Sequence, residues 1–335
     1  MRLRYSNPSV PGYSRRRCGR GFRYFDEQGG GVADPDVLER IRALGIPPAW
    51  TDVWICPWPN GHLQATGRDA AGRLQYRYHD VWREQRDREK FERMLDFARA
   101  LPRLRQRVGR DLALDDLPRE RLLACATRLL DRGFFRIGGE EYAEGNGTFG
   151  LATLQKRHVR LLDEGVMVFE YRAKAGKLRA QRIVDPEAFP VVGRLKRRRG
   201  GPQLFCYRNG RGWNPVRSDD VNAYIREYSQ GPHSAKDFRT WHATVLASVA
   251  LAVLGGRART EAAKRRVASH AIREVSRYLG NTPTVCRDSY IDPRVFERFY
   301  DGRTIDLDLD AIGEDIDEPE LLSAEAAVLE LLGAA

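Results

Sequence analysis

The sequence predicts an α+β protein, with a small β-rich N-terminal domain followed by a larger, mainly helical domain that carries a β-hairpin. Three observations lead there. Between Val53 and Tyr78, short apolar and aromatic stretches are separated by Pro-Asn-Gly-His and Ala-Ala-Gly-Arg turns, the pattern of half-buried strands. From Trp82 onward, apolar residues recur mainly at helical spacing. Inside that helical part, Val166–Tyr171 and Leu178–Val184 read as two strands around Arg172-Ala-Lys-Ala-Gly176. At 335 residues the chain is long enough for two cores.

The expected organisation is a basic arm over 1–30, a β-rich domain over 31–85, a mainly helical domain over 86–305 and an acidic tail over 306–335. The arm, rich in Arg, Gly and Tyr, is expected to be loosely ordered. Asp34 to Leu44 reads as a short helix, with Asp34 as cap, Pro35 in the first turn and Gly45 at the stop. Val53–Ile55, Leu63–Ala65 and Leu74–Tyr78 follow as strands. Trp82 to Arg110 places Phe91, Met94, Leu95, Ala98 and Leu101 on one helical face. Asp116-Leu-Pro118 opens a helix that Gly133 closes. Beyond the hairpin, Ser218 caps a helix to Tyr228, and Asp237–Leu254 is the most buried helix. Thr260–Leu279 is amphipathic and stops at Gly280, and Pro319–Leu332 forms an acidic helix.

Net charge is +11, and the last thirty residues from Asp306 hold ten acidic groups and no Lys or Arg. The remaining 36 acidic residues against 57 basic ones leave +21 on residues 1–305, which points to a polyanionic partner. Only seven of the basic residues are Lys. Biased base usage explains that preference for Arg but not the excess of positive charge. The five cysteines are scattered and never spaced as C-x-x-C, which speaks against zinc and against a disulfide framework. The longest apolar run, Ala243 to Leu254, is shorter than a membrane span. The N-terminus has no apolar signal core, so a cytoplasmic protein is expected. No G-x-x-x-x-G-K-[ST] is present, and Gly145-Asn-Gly-Thr-Phe-Gly150 lacks the βαβ frame of a dinucleotide site. No nucleotide, metal or other cofactor is expected.

A positively charged chain without a metal site can still break a phosphodiester. That chemistry needs an in-line nucleophile, fixed positive charge on the non-bridging oxygens and an acid for the leaving alkoxide. Arg keeps its charge and its fork matches phosphate. Tyr can be the nucleophile where cations favour its ionised form. Arg136 follows directly after a helix, Arg239 opens the buried helix, Asn281 lies just past a helix end, and Tyr290 stands nine residues later. A charge opening a long apolar helix must be paired or must face a site. A lone tyrosine is ordinarily only a partly buried aromatic.

Lys236-Asp-Phe-Arg-Thr, Arg136-Ile-Gly-Gly and Gly280-Asn-Thr-Pro, with Asp-Ser-Tyr290-Ile-Asp-Pro, resemble the type IB DNA topoisomerases, in the poxvirus-like form found in bacteria. The resemblance spans about 29 to 300. It implies the tyrosine recombinase/topoisomerase IB catalytic fold, arranged as a C-shaped clamp on double-stranded DNA. It also implies a monomer that relaxes supercoils through a covalent 3′-phosphotyrosyl intermediate, without ATP or metal. Carried over residue by residue, the active site is Tyr290, Arg136, Lys174, Arg239 and Asn281. The family favours Gly-Lys at the hairpin tip, whereas this chain has Ala173-Lys174 and a second candidate, Lys177, after Gly176. Lys174 is preferred for its place after the Phe169-x-Tyr171 strand. Asn281 stands where histidine is commoner; it can donate a hydrogen bond but brings no titratable charge. The family grips the major groove with the strand at Leu74–Tyr78, so Gln75, Tyr76 and Tyr78, with Arg73 at its entry, are candidate DNA contacts. Lys156 is a candidate for backbone phosphate.

Two other readings stand beside this one. A tyrosine site-specific recombinase shares the chemistry, but usually has H-x-x-R where this chain has Lys236-x-x-Arg239, and an all-helical N-terminal domain. A non-catalytic architectural DNA-binding protein would explain the charge alone.

Overall fold

A computed structural model describes residues 1–210, 212–256, 258–306 and 318–333. The chain divides into two compact units, Met1–Phe91 and Glu92–Ala335.

The first unit is built on strands β1 (Tyr13–Cys18) and β2 (Gly21–Phe25), helix α1 (Pro35–Ala43), and strands β3 (Thr51–Ile55), β4 (Leu63–Arg68) and β5 (Leu74–Tyr78). The strands form one antiparallel sheet in the order β2-β1-β3-β4-β5. The stretch expected to be a loose arm therefore supplies two of its five strands. Its alternation is hidden because arginine occupies an inward position. Arg15 lies 4.1 Å over the Phe22 ring and donates to the carbonyls of Ile46, Pro47 and Trp50 at 2.8–3.1 Å. The guanidinium is thus satisfied without a carboxylate, and its stem packs like an apolar side chain. Ile41 of α1 packs on Val53, Ile55 and Ala65, with Tyr13 and Tyr24 at the rim. Directly paired residues share a sheet face. The register Arg16↔Arg23, Ser14↔Trp54, Trp54↔Thr66, Thr66↔Tyr76 therefore defines the face opposite α1.

The unit boundary falls within α2 (Asp80–Leu112). Beyond it come α3 (Arg119–Gly133), α4 (Glu140–Asn146), and a three-stranded antiparallel sheet of β6 (Val159–Leu161), β7 (Val166–Arg172) and β8 (Leu178–Val184). Helix α5 (Ala188–Arg197), the pair β9 (Cys206–Asn209) and β10 (Gly212–Pro215), and α6 (Ser218–Ser229) follow. Helix α7 (Ala235–Gly255) is the centre of this unit, packed by α3, α6, α8 (Glu261–Leu279), α10 (Pro293–Tyr300) and α11 (Glu318–Gly333). Between α8 and α10 lies the short α9 (Pro283–Ser289).

The expected long helices and the β7–β8 hairpin are present within a few residues of their anticipated ends. Helix α6 is capped by Arg217, whose N–H donates to Asp220 at 2.9 Å, rather than by Ser218. Strands β6, β9 and β10 have three or four residues each, too few to show a period. Helix α7 is, among the described residues, long and apolar enough to cross a membrane, because the helix extends beyond its apolar run. With 67% of its apolar window buried, it is the core helix of this unit. Of the expected acidic tail, 307–317 and 334–335 lie outside the described residues.

Candidate active site

Arg239 is the hub. Helix α7 starts at Ser234, whose N–H and hydroxyl bond Asp237 at 2.8 and 2.9 Å. That cap places Arg239 in the second turn, buried, with 3% of its surface exposed. Its guanidinium donates to the carbonyl of Phe134 and, at 3.0 Å, to that of Leu279. Phe134 ends α3 in a left-handed conformation and Leu279 ends α8. Both acceptors therefore sit at the negative ends of helices. They anchor the cation without neutralising it. No ion pair joins Arg239 among the described residues, and its buried Nε has no partner. Burial, then the nearby Arg136 charge, pull its pKa down to about 10, so it remains charged at neutral pH.

Arg136 and Asn281 meet beside it. The Arg136 guanidinium donates to Asn281 Oδ1, while the buried Asn281 Nδ2 has no partner. Asn281 follows Gly280, which closes α8 at φ +63° and lets the chain turn back. Arg136 is held by the backbone: its carbonyl accepts from Leu151 N at 2.8 Å, and Gly138 and Gly150 touch so closely that a Cβ on either would fall 2.5–2.8 Å from the other's backbone. The last glycine of Gly145–Gly150 thus serves close packing next to Arg136.

Tyr290 ends α9 and lies with its ring centroid 5.1 Å from the Arg239 guanidinium carbon. Thr244, one helical turn after Thr240 on α7, grips the chain on either side of Ile291. Its hydroxyl lies 3.4 Å from the Tyr290 carbonyl and accepts from Asp292 N at 3.1 Å. Burial alone would raise the Tyr290 phenol, but Arg239, Arg136 and Lys236 outweigh it, and the pKa falls below its ordinary value. Tyr171 is the contrast. It feels Arg179, Arg239 and Arg136 as well, but burial dominates and pushes it up to about 12. Of Tyr171 and Tyr290, it is Tyr290 whose ionised form the arginines favour over burial.

A family model described as "Eukaryotic DNA topoisomerase I, catalytic core" matches residues 79–301. One described as "Bacterial DNA topoisomerase IB, N-terminal domain" matches residues 21–69. The chain is 30% identical, over 84% of its length and 85% of the other, to "DNA topoisomerase 1B" of Acanthamoeba polyphaga mimivirus. The chain belongs to the type IB DNA topoisomerases. It is also 26% identical to "DNA topoisomerase 1" of Daucus carota, over 47% of this chain and 19% of the carrot protein. The five-stranded N-terminal sheet and its bacterial topoisomerase IB match separate the chain from recombinases with an all-helical N-terminal domain.

Besides the Arg136–Arg239–Asn281–Tyr290 group, the residues singled out as topoisomerase site candidates divide between the two units, Lys174, Lys177 and Lys156 in the second and Arg73, Gln75, Tyr76 and Tyr78 in the first. Lys174 and Lys177 are exposed in the β7–β8 turn, which Ala175 and Gly176 close with positive φ. Neither bonds to that group. Arg73 and Gln75 are both held by Asp69, at 2.9 and 3.0 Å. Tyr76 and Tyr78 are exposed and stacked, centroids 6.1 Å apart and planes at 16°. Lys156 donates to the carbonyls of Arg198 and Gly200, each at 2.7 Å, closing the end of α5.

Two residues of this topoisomerase site escaped sequence reasoning. Thr244 was hidden in an apolar helix. Arg179 of β8 donates to the carbonyls of Arg277 and Tyr278 at the end of α8. A Cβ at Gly280 would come within 2.5 Å of Arg179, so that glycine also makes room for the hairpin's arginine. No motif marks one arginine among fifty.

Proposed function

We propose that this chain relaxes supercoiled double-stranded DNA by reversible cleavage of one strand, with Tyr290 as nucleophile. The phenolate oxygen of Tyr290 bonds to the scissile phosphorus, the P–O5′ bond breaks, and the 5′ oxygen takes a proton. Religation reverses each change, and rotation of the free 5′ end between the two steps removes supercoils. Arg239 and Arg136 carry positive charge to the non-bridging oxygens, and Asn281 Nδ2 donates one hydrogen bond. Lys174, on the hairpin turn, is the acid for the 5′ oxygen, in preference to Lys177. Arg73, Gln75, Tyr76, Tyr78 and Lys156 are assigned to DNA contacts. The protein acts as a monomer on the chromosome, in the cytoplasm.

The observation that carries this reading is the buried Arg239 guanidinium, anchored on two helix-end carbonyls, unpaired by any carboxylate among the described residues, and 5.1 Å from the Tyr290 ring. Such a charge costs free energy unless an anion completes it. The test is relaxation of supercoiled plasmid without ATP and with excess chelator. Wild type should relax it and leave a 3′-linked protein–DNA adduct on denaturation; Tyr290→Phe should do neither. Two proteins that bind DNA with steep salt dependence but never relax it would point instead to an architectural role.

A further inference from the structure

Helix α11 lies beyond residues 79–301, the segment matched by the catalytic-core family. It places a carboxylate against Trp241 and His242, close in sequence to the hub of the site. Glu325, almost fully buried, accepts from Arg105 at 2.6 and 2.9 Å and from the indole N–H of Trp241 at 3.0 Å. Arg105 turns its other edge to Asp131, with bonds of 2.8 and 3.0 Å. His242 Nε2 lies 3.1 Å from Asp131 and 3.9 Å from Glu325, within ion-pair reach but without hydrogen-bond alignment. Trp241 and His242 are the second and third residues after Arg239 on α7. His242 meets the Phe134 ring edge-on, centroids 5.4 Å apart at 74°, and the Phe134 carbonyl is one of the two anchors of Arg239.

We propose that Glu325 is a positioning residue for cleavage: from α11 it completes a buried network with Arg105, Asp131, Trp241 and His242 that sets the register of α7 and Phe134, and so the placement of the Arg239 guanidinium. Burying two carboxylates and one guanidinium adds little net stability compared with apolar residues of the same volume. What the network supplies is direction. Each carboxylate oxygen meets a fixed donor, so α11, α2, α3 and α7 share one arrangement. Among the described residues Arg239 has no carboxylate to fix it, which leaves its aim to the elements that carry its two acceptors. The inference rests on Arg239 acting on the scissile phosphate.

The test is single-turnover formation of the Tyr290–DNA adduct by full-length Glu325→Gln and Glu325→Ala at saturating enzyme. DNA affinity is read separately in a Tyr290→Phe background. The variants should bind DNA as tightly as their parent yet cleave about 10- to 100-fold more slowly, the effect of a misplaced catalytic group. A methylphosphonate at the scissile position removes one anionic non-bridging oxygen, and with it much of the need for a well-aimed arginine. On that substrate the defect should shrink about ten-fold or more, as should that of Arg239→Ala. Wild-type cleavage by both Glu325 variants, or an equal defect on both substrates, overturns the proposal. Wild-type cleavage by Arg239→Ala would overturn the phosphate role of Arg239 instead, whatever Glu325 does. If neither Glu325 variant folds, Arg105→Lys, which keeps the charge but loses the fork, is judged by the same two-substrate comparison.

Discussion

At the scale of single residues, the site is a problem of charge placed without its usual partner. Arg239, Arg136 and Lys236 overcome the burial that would hold the Tyr290 proton. With the ionised phenol as the proposed attacking species, cleavage should accelerate as pH rises and level off below the ordinary phenol pKa of about 10. Arg239→Ala should move that inflection upward; pH profiles of single-turnover cleavage measure both. Asn281 offers a second reading of the same charge. Its Oδ1 is taken by Arg136, while Nδ2 is buried and free for an anion. Asn281→His keeps a donor and should cleave within about ten-fold of wild type, whereas Asn281→Ala should lose about 10- to 100-fold. A folded but inactive Asn281→His would remove the hydrogen-bond role.

At the scale of elements, helix ends and one hairpin bring distant segments together. The ends of α3 and α8 hold Arg239, and the end of α8 also holds Arg179 from β8. The hairpin's base is thereby tied to the site while its lysines stay on the exposed turn. An acid on the leaving oxygen matters only when that oxygen leaves reluctantly. Lys174→Ala should therefore cleave an ordinary phosphodiester about 100-fold or more slowly, and recover on a substrate whose bridging 5′ oxygen is replaced by sulfur. Lys177→Ala should behave as wild type on both. Reversal of the two lysines' behaviour would reassign the acid. The short helices α9 and α10 had a sequence signal, Thr282-Pro283 and Asp292-Pro293, a capping side chain followed by proline at the first position. Their seven and eight residues hid it.

At the scale of the whole molecule, the buried network that α11 completes links stability to pH. Burial would raise the Asp131 carboxyl, but His242 and Arg105 outweigh it and hold it well below the usual range. A carboxyl with a depressed folded pKa contributes stability that is complete above its unfolded value of about 3.9 and disappears as pH falls below it. Wild type should thus lose stability steeply on acidification below about pH 4, and Asp131→Asn should be less stable at neutral pH but flatter there. Urea midpoints across that range measure the difference. Equal slopes would show that the Asp131 carboxyl titrates normally.

The sequence by itself determined the α+β class, the long helices and the central hairpin, because their signals are local; Arg136, Arg239, Asn281 and Tyr290 came as candidates from motifs that resemble the family, set at helix ends and an apolar run. The excess of positive charge likewise needs no fold to be seen. Only the tertiary structure decided what surrounds those residues. Arg15 reads as one more basic residue of an arm until the carbonyls of Ile46, Pro47 and Trp50 make it an inward strand residue. Thr244, Arg179 and Glu325 look like any hydroxyl, arginine or acidic tail residue in the chain. Their roles rest on hydrogen bonds to partners 46 to 220 residues away, and no periodicity or spacing along the sequence encodes a contact at that separation.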